Sequence, residues 1–255
     1  MRLVLLPLLL SVSLAGCPSS VNGPDDDDDA PADDDDATDA LDCPPAFDVD
    51  GDYGSFDLDG WPVQMRLELL EDDTELGCEV LDRLTSDLAT IRAALTPGRI
   101  DQLHTVTIWV EVDQPQFPGA VYHPSAQWLS DNGYPPEWAE GIQLGNARNY
   151  LDWTDVQPAM VLHEFSHAWH HQVVGYGDAT ILGAYQDAMD AGLYDAVEYA
   201  TGGIQEAYAT TNVQEYFAEL SEAWFWTNDF YPFDREDLLS HDPVGAAAVE
   251  GAWSL

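Results

Sequence analysis

The segment Met160-Val161-Leu162-His163-Glu164-Phe165-Ser166-His167 sets three ionisable side chains in an otherwise apolar run, and nothing else in the chain restricts its fold as strongly. Imidazoles and a carboxylate are costly to bury unless something pairs with them. A fold that accepts this segment must therefore bring partners to it. On a helix, residues four apart stand one above the other, about 6 Å along the axis. His163 and His167 can then reach one ion at roughly 2 Å, with Glu164 beside them. This is the HExxH pattern, in which two histidines hold zinc and the glutamate is placed to take a proton from a polarised water. The bland alternative, two surface histidines at helical spacing, does not explain the apolar lead-in. A catalytic zinc site also needs a third protein ligand and one open position, so a second element should supply another donor.

His170 shares the helix face but lies about 10 Å along the axis from His163, so a place supporting the ligands from behind, or a merely structural one, is expected for it; His171 faces elsewhere. The better donor is downstream, in Tyr208-Ala209-Thr210-Thr211-Asn212-Val213-Gln214-Glu215-Tyr216-Phe217-Ala218-Glu219. Asn212 is a suitable N-cap, and Glu215, Glu219 and Glu222 fall on one face of the helix that follows. Three glutamates on a solvated face is the competing reading, but Tyr216, Phe217, Leu220, Trp224 and Phe225 make this a packed helix.

The Tyr208–Glu219 segment resembles the active-site stretch of the anthrax lethal factor family of zinc peptidases, gluzincins whose third ligand is a glutamate on a second helix. The resemblance implies that Tyr208 donates to the oxyanion of the transition state, that Glu215 is the third zinc ligand, and that Glu219 supports the ligands from behind. Metzincins instead require a glycine and a third histidine where this chain has His170 and Val173. A wider stretch over residues 61–243, including Tyr122-His123-Pro124-Ser125, is similar to bacterial zincin-like proteins. The implied fold is an α+β zincin-like domain with a small sheet, an active-site helix and a mostly helical C-terminal half. The implied activity is zinc-dependent hydrolysis of a protein or peptide substrate, by a monomer. The toxin's own substrate is not implied, because the resemblance covers only the peptidase portion. A zincin-fold metal-binding or surface-interaction lipoprotein with little turnover is the alternative; Glu164 and Tyr208, which a binder does not need, favour the enzyme.

Arg2 and the apolar run Leu3–Leu14 read as a secretory leader, residues 1–16, too short to span a membrane. Leu14-Ala15-Gly16-Cys17 resembles the bacterial lipobox, which implies lipid on Cys17 and membrane attachment through it. With Pro18 following, the expected location is the cell envelope, at the outer membrane or cell surface. Residues 17–42 carry two runs of aspartate, Asp25–Asp29 and Asp33–Asp36, and form an extended acidic tether. The folded domain is expected over 43–255.

Acidity extends beyond that tether. The chain has 48 acids against seven bases, all Arg, for a net charge of −41. After residue 42, 37 acids face six Arg, so the domain itself would repel phosphate backbones; nucleic-acid binding is disfavoured unless a metal intervenes, and no nucleic-acid partner is expected. Two cysteines remain after Cys17; Cys43 and Cys78 are expected to form a disulfide in an exported chain, with two free thiols as the alternative. Asp48, Asp50 and Asp52 alternate as in a calcium loop, but Tyr53 stands where the EF-hand needs glycine, and Asp59 where it needs glutamate.

Alternation predicts strands over 63–69 and 106–112 and a short one at 142–144. Leu81, Leu84, Leu88, Ile91 and Leu95 predict a helix from near Thr74 that Pro97-Gly98 stops. After Pro158 the chain reads as almost wholly helical.

Overall fold

The computed structural model describes residues 43–255; the leader, Cys17 and the tether lie outside the described residues. Two short strands, β1 (Asp48–Asp50) and β2 (Tyr53–Leu58), precede β3 (Trp61–Arg66). The strand expected over 63–69 stops at Arg66, because the chain turns into a π-helical turn at Glu68–Asp72 that buries both Leu69 and Leu70. Two consecutive buried leucines suit a helical turn rather than a half-buried strand. The long helix α1 (Thr74–Ala94) follows, capped by Asp73, and its inner face carries Leu81, Leu84, Leu88 and Ile91. Pro97 does end that helix's sequence pattern, but it also occupies the first turn of a new helix, α2 (Pro97–Leu103), where its missing N–H costs nothing.

The second predicted strand is shorter than its alternation, β4 (Ile108–Val110), and is followed by β5 (Ala120–Tyr122), α3 (Ala126–Asp131), β6 (Ile142–Leu144) and α4 (Ala147–Trp153). The C-terminal half contains α5 (Met160–Trp169), α6 (Ala179–Ala191), α7 (Val213–Phe225), α8 (Arg235–His241) and α9 (Pro243–Ala252). Its helices are interrupted by a small hairpin of β7 (Val197–Glu198) and β8 (Ile204–Gln205) and by the irregular stretch 226–234, where Phe230 bridges to Tyr199.

The six-stranded sheet has the order β1-β2-β3-β4-β6-β5. β3, β4 and β6 run parallel, whereas the edge strand β5 is antiparallel to β6. Register aligns Val63, Ile108, Ile142 and Tyr122 in one row across the sheet, and Met65, Val110 and Leu144 in the next. These side chains are all buried and join the inner faces of α1 and α5 in one core. The result is a mixed α+β arrangement.

Cys43 and Cys78 are bonded, with Sγ atoms 2.05 Å apart, so the start of the described chain is tied to α1. Within α1 the buried Asp87 accepts from the Tyr150 hydroxyl at 2.6 Å and pairs with Arg83 at 2.9 Å, joining α1 to α4. At the other end of the domain, α9 braces α5 against α7. Trp253 stacks on Trp169 with ring centres 4.7 Å apart, and its indole N–H donates to Ser221 at 2.9 Å. The Trp169 indole N–H donates to the Ala252 carbonyl at 3.1 Å.

Candidate metal centre

Every residue of α5 is buried, as its apolar composition requires, so its three ionisable side chains must be satisfied by neighbours. The partner is α7. Asn212 caps that helix by accepting from the N–H groups of Gln214 and Glu215 at 2.9 and 3.0 Å. This fixes Glu215 in the first turn, facing α5. Glu215 Oε2 lies 3.0 Å from Nε2 of His163 and 3.1 Å from Nε2 of His167. The imidazole rings stand edge to face with centres 4.7 Å apart.

These three donors fit one metal ion. Ligand atoms of a tetrahedral zinc site, at bonds of about 2.0 Å, are separated by roughly 3.3 Å, close to the separations between Glu215 and each histidine. The donors of His163, His167 and Glu215 all fall within 4.8 Å of one another, so this buried cluster could hold a metal ion. Burial disfavours the charged form of His163, yet its hydrogen bonds to Glu215 and Glu222 and their negative charge outweigh it and hold the pKa well above its ordinary value. Burial likewise works against the Glu215 carboxylate, but the two histidines prevail and hold its pKa well below the usual range. A cation shared by these groups would satisfy the same attractions.

Behind His163 stand two further carboxylates of α7. The Nδ1 atom lies 2.6 Å from Glu222 Oε1 and 3.9 Å from Glu219 Oε1. The direct hydrogen bond is made by Glu222, three residues beyond Glu219 along α7. A ligating histidine commonly presents its other nitrogen to a carboxylate, which fixes the ring, and Glu222 occupies that place. Glu219 instead accepts from the Asn228 amide at 3.3 Å. Burial, with Glu222 and Asp229 nearby, pushes its pKa well up, and burial raises Glu222 to about 7. A second potential donor group, His163, Glu219 and Glu222, is thus continuous with the first.

Glu164 is 7% exposed. Its Oε2 accepts from the backbone N–H of Tyr122, in edge strand β5, at 2.7 Å, a contact between residues far apart in sequence that no local pattern announces. Burial raises its pKa above the usual carboxylate value. Tyr208 sits in a 3₁₀ turn (Tyr208–Thr210) just before Asn212. It is 48% exposed at the mouth of the site, with its ring centre 6.3 Å from that of His163. Burial of part of the ring and the Glu215 carboxylate push its pKa up to about 12, so the phenol keeps its proton at neutral pH.

His170 is wholly buried against Phe217 and Tyr176, apart from the ligand cluster. Residues 100–147 and 149–234 contain no Lys or Arg. The elements around the cluster, β5, β6, α5 and α7, therefore carry no cationic side chain other than histidine. No family model, curated protein or solved structure matches the chain at a significant level.

Proposed function

We propose that this protein is a zinc-dependent peptide hydrolase, an exported lipoprotein anchored through Cys17. The observation that carries the reading is the convergence of His163 Nε2, His167 Nε2 and Glu215 Oε2 beside a buried Glu164. A zinc ion on those three atoms would supply a Lewis acid for the scissile carbonyl and a water of lowered pKa.

The remaining work belongs to the chain. Glu164, with Oε2 held by the Tyr122 N–H, has Oε1 free to accept the proton of the attacking water and pass it to the leaving amine. A carboxylate with a raised pKa is better matched to that exchange at neutral pH than an ordinary one. The Tyr208 hydroxyl, still protonated, donates to the oxygen on which charge develops. Glu222 fixes the His163 ring so that Nε2 faces Glu215 and His167. A binding protein would need the three ligands but neither the base nor the phenol.

The deciding experiment is digestion of a proteome-derived peptide library by purified protein with stoichiometric zinc, alongside Glu164→Ala. Cleavage by the wild type only, with equal zinc in both, supports the enzyme. Equal zinc with no cleavage by either leaves the metal-binding lipoprotein as the better reading.

A further inference from the structure

Tyr122 holds α5 at two points, and we infer that it is a positioning residue that sets the orientation of the Glu164 carboxylate; the inference rests on the proposed hydrolysis. Its backbone N–H donates to Glu164 Oε2 at 2.7 Å. Its hydroxyl lies 2.9 Å from His171 Nδ1 and accepts from the Gln172 amide at 3.1 Å. Glu164 and His171 are seven residues apart, two helical turns or about 10 Å, so both face the same strand.

The direction of the hydroxyl's bonds follows from donor chemistry. The Gln172 amide nitrogen can only donate, so the Tyr122 oxygen accepts from it and keeps its own proton for an unprotonated His171 Nδ1. Burial keeps the phenol protonated, with its pKa pushed up to about 12. His171 and Gln172 belong to a π-helical turn, His170–Val174, that continues α5; such widened turns recur at functional sites.

The clasp matters because β5 has a strand partner on one side only. It has three residues, lies at the sheet edge and pairs with β6. A base must present one oxygen to the water, and Glu164 does so only while its other oxygen stays on the Tyr122 N–H. The place of that N–H along α5 depends on where β5 sits. The hydroxyl clasp on His171 and Gln172 fixes that place from the far end of the same residue.

Tyr122→Phe removes the clasp and keeps the backbone donor. With zinc-loaded protein and a peptide found by the library digest, Tyr122→Phe and His171→Ala should each lower kcat roughly 3- to 10-fold, the worth of about one hydrogen bond. KM should stay within about two-fold and zinc content should be unchanged; a general loss of packing would not spare both. The double variant should be no worse than either single one. His171→Asn, whose side-chain oxygen can accept near the position of Nδ1, should restore most of the rate. Wild-type kcat in Tyr122→Phe, or losses that multiply in the double variant, would overturn the positioning role while leaving hydrolysis intact. Absence of hydrolysis by the wild type overturns the proposed function and this role together.

Discussion

His170 should make this domain acid-sensitive in a way that one substitution removes. Its side chain has no exposed surface, and neither ring nitrogen has a hydrogen-bond partner. Burial, reinforced by His167, lowers its pKa from 6.5 to about 4. A histidine with a depressed folded pKa binds its proton more tightly when unfolded, so its contribution to stability is present above pH 6.5 and is lost as pH falls toward 4. At pH 5 the unfolded ring is almost fully protonated and the folded ring almost neutral. With one pKa unit worth about 1.4 kcal/mol, the loss between pH 7.5 and pH 5 is about 2 kcal/mol from this residue alone. His170→Leu has similar volume, cannot be protonated and removes two unsatisfied polar atoms, so at pH 7.5 it should match the wild type within about 1 kcal/mol. Urea unfolding of both proteins at the two pH values measures the effect. Other titrations, including those of the ligand cluster, largely cancel in the difference between variant and wild type. If the wild-type and His170→Leu stabilities fall in parallel from pH 7.5 to 5, the ring is either protonated or solvated at neutral pH, and the reasoning fails.

Glu222→Ala leaves His163 Nδ1 without its 2.6 Å partner and should weaken zinc binding about 10- to 100-fold, whereas Glu219→Ala should do less; competition with a chromophoric chelator measures both, and the reverse order would return the supporting role to Glu219. Glu215→Ala should abolish stoichiometric zinc in elemental analysis, and zinc that survives would remove it from the ligand set. Replacing Cys43 and Cys78 by Ser opens a loop with a sequence separation of 35 and should cost about 4 kcal/mol by loop entropy, read as a lower urea midpoint; an unchanged midpoint would show that the unfolded chain gains little freedom. Asp87→Ala strips the buried Tyr150 hydroxyl of its acceptor and Arg83 of its partner. It should cost about 2 to 4 kcal/mol in the same assay, and a loss below about 0.5 kcal/mol would refute the pairing.

Local chemistry made much of this structure legible in advance. The His163–His167 spacing, the apolar lead-in and the Asn212 cap depend only on helix geometry and nearest neighbours, and each reappears in α5 or α7. The inner strands were legible as alternation, but their ends were not. Leu69 continues the alternation of β3 in sequence, yet with Leu70 beside it the chain buries more by turning. β5 was invisible because Ala120-Val121-Tyr122 is too short to show a period, and its place at the sheet edge is set by pairing with β6. The contact between its Tyr122 N–H and Glu164 shares that origin.

The pairing of His163 Nδ1 with Glu222 rather than Glu219 shows where sequence reasoning stops. Helical spacing puts Glu215, Glu219 and Glu222 on one stripe of α7, and Asn212 fixes which of them occupies the first turn. Which of the other two meets His163 Nδ1 depends on how far α7 is slid along α5 and at what angle the helices cross. Alongside the direct packing of α5 on α7, Trp253 helps to set both, stacked on Trp169 from α5 and hydrogen-bonded to Ser221 from α7. Ser221 directly precedes Glu222, so the bond from Trp253 anchors α7 within one residue of the carboxylate that faces His163. A slide of three residues along the helix axis, about 4.5 Å, would trade the two glutamates while leaving every local sequence pattern intact. Trp253→Phe, which keeps an aromatic ring but loses the indole N–H, should therefore weaken zinc binding in step with Glu222→Ala, though less severely, and the double variant should lose less than the product of the two. Zinc affinity unchanged in Trp253→Phe would mean that α7 is held in register without this brace.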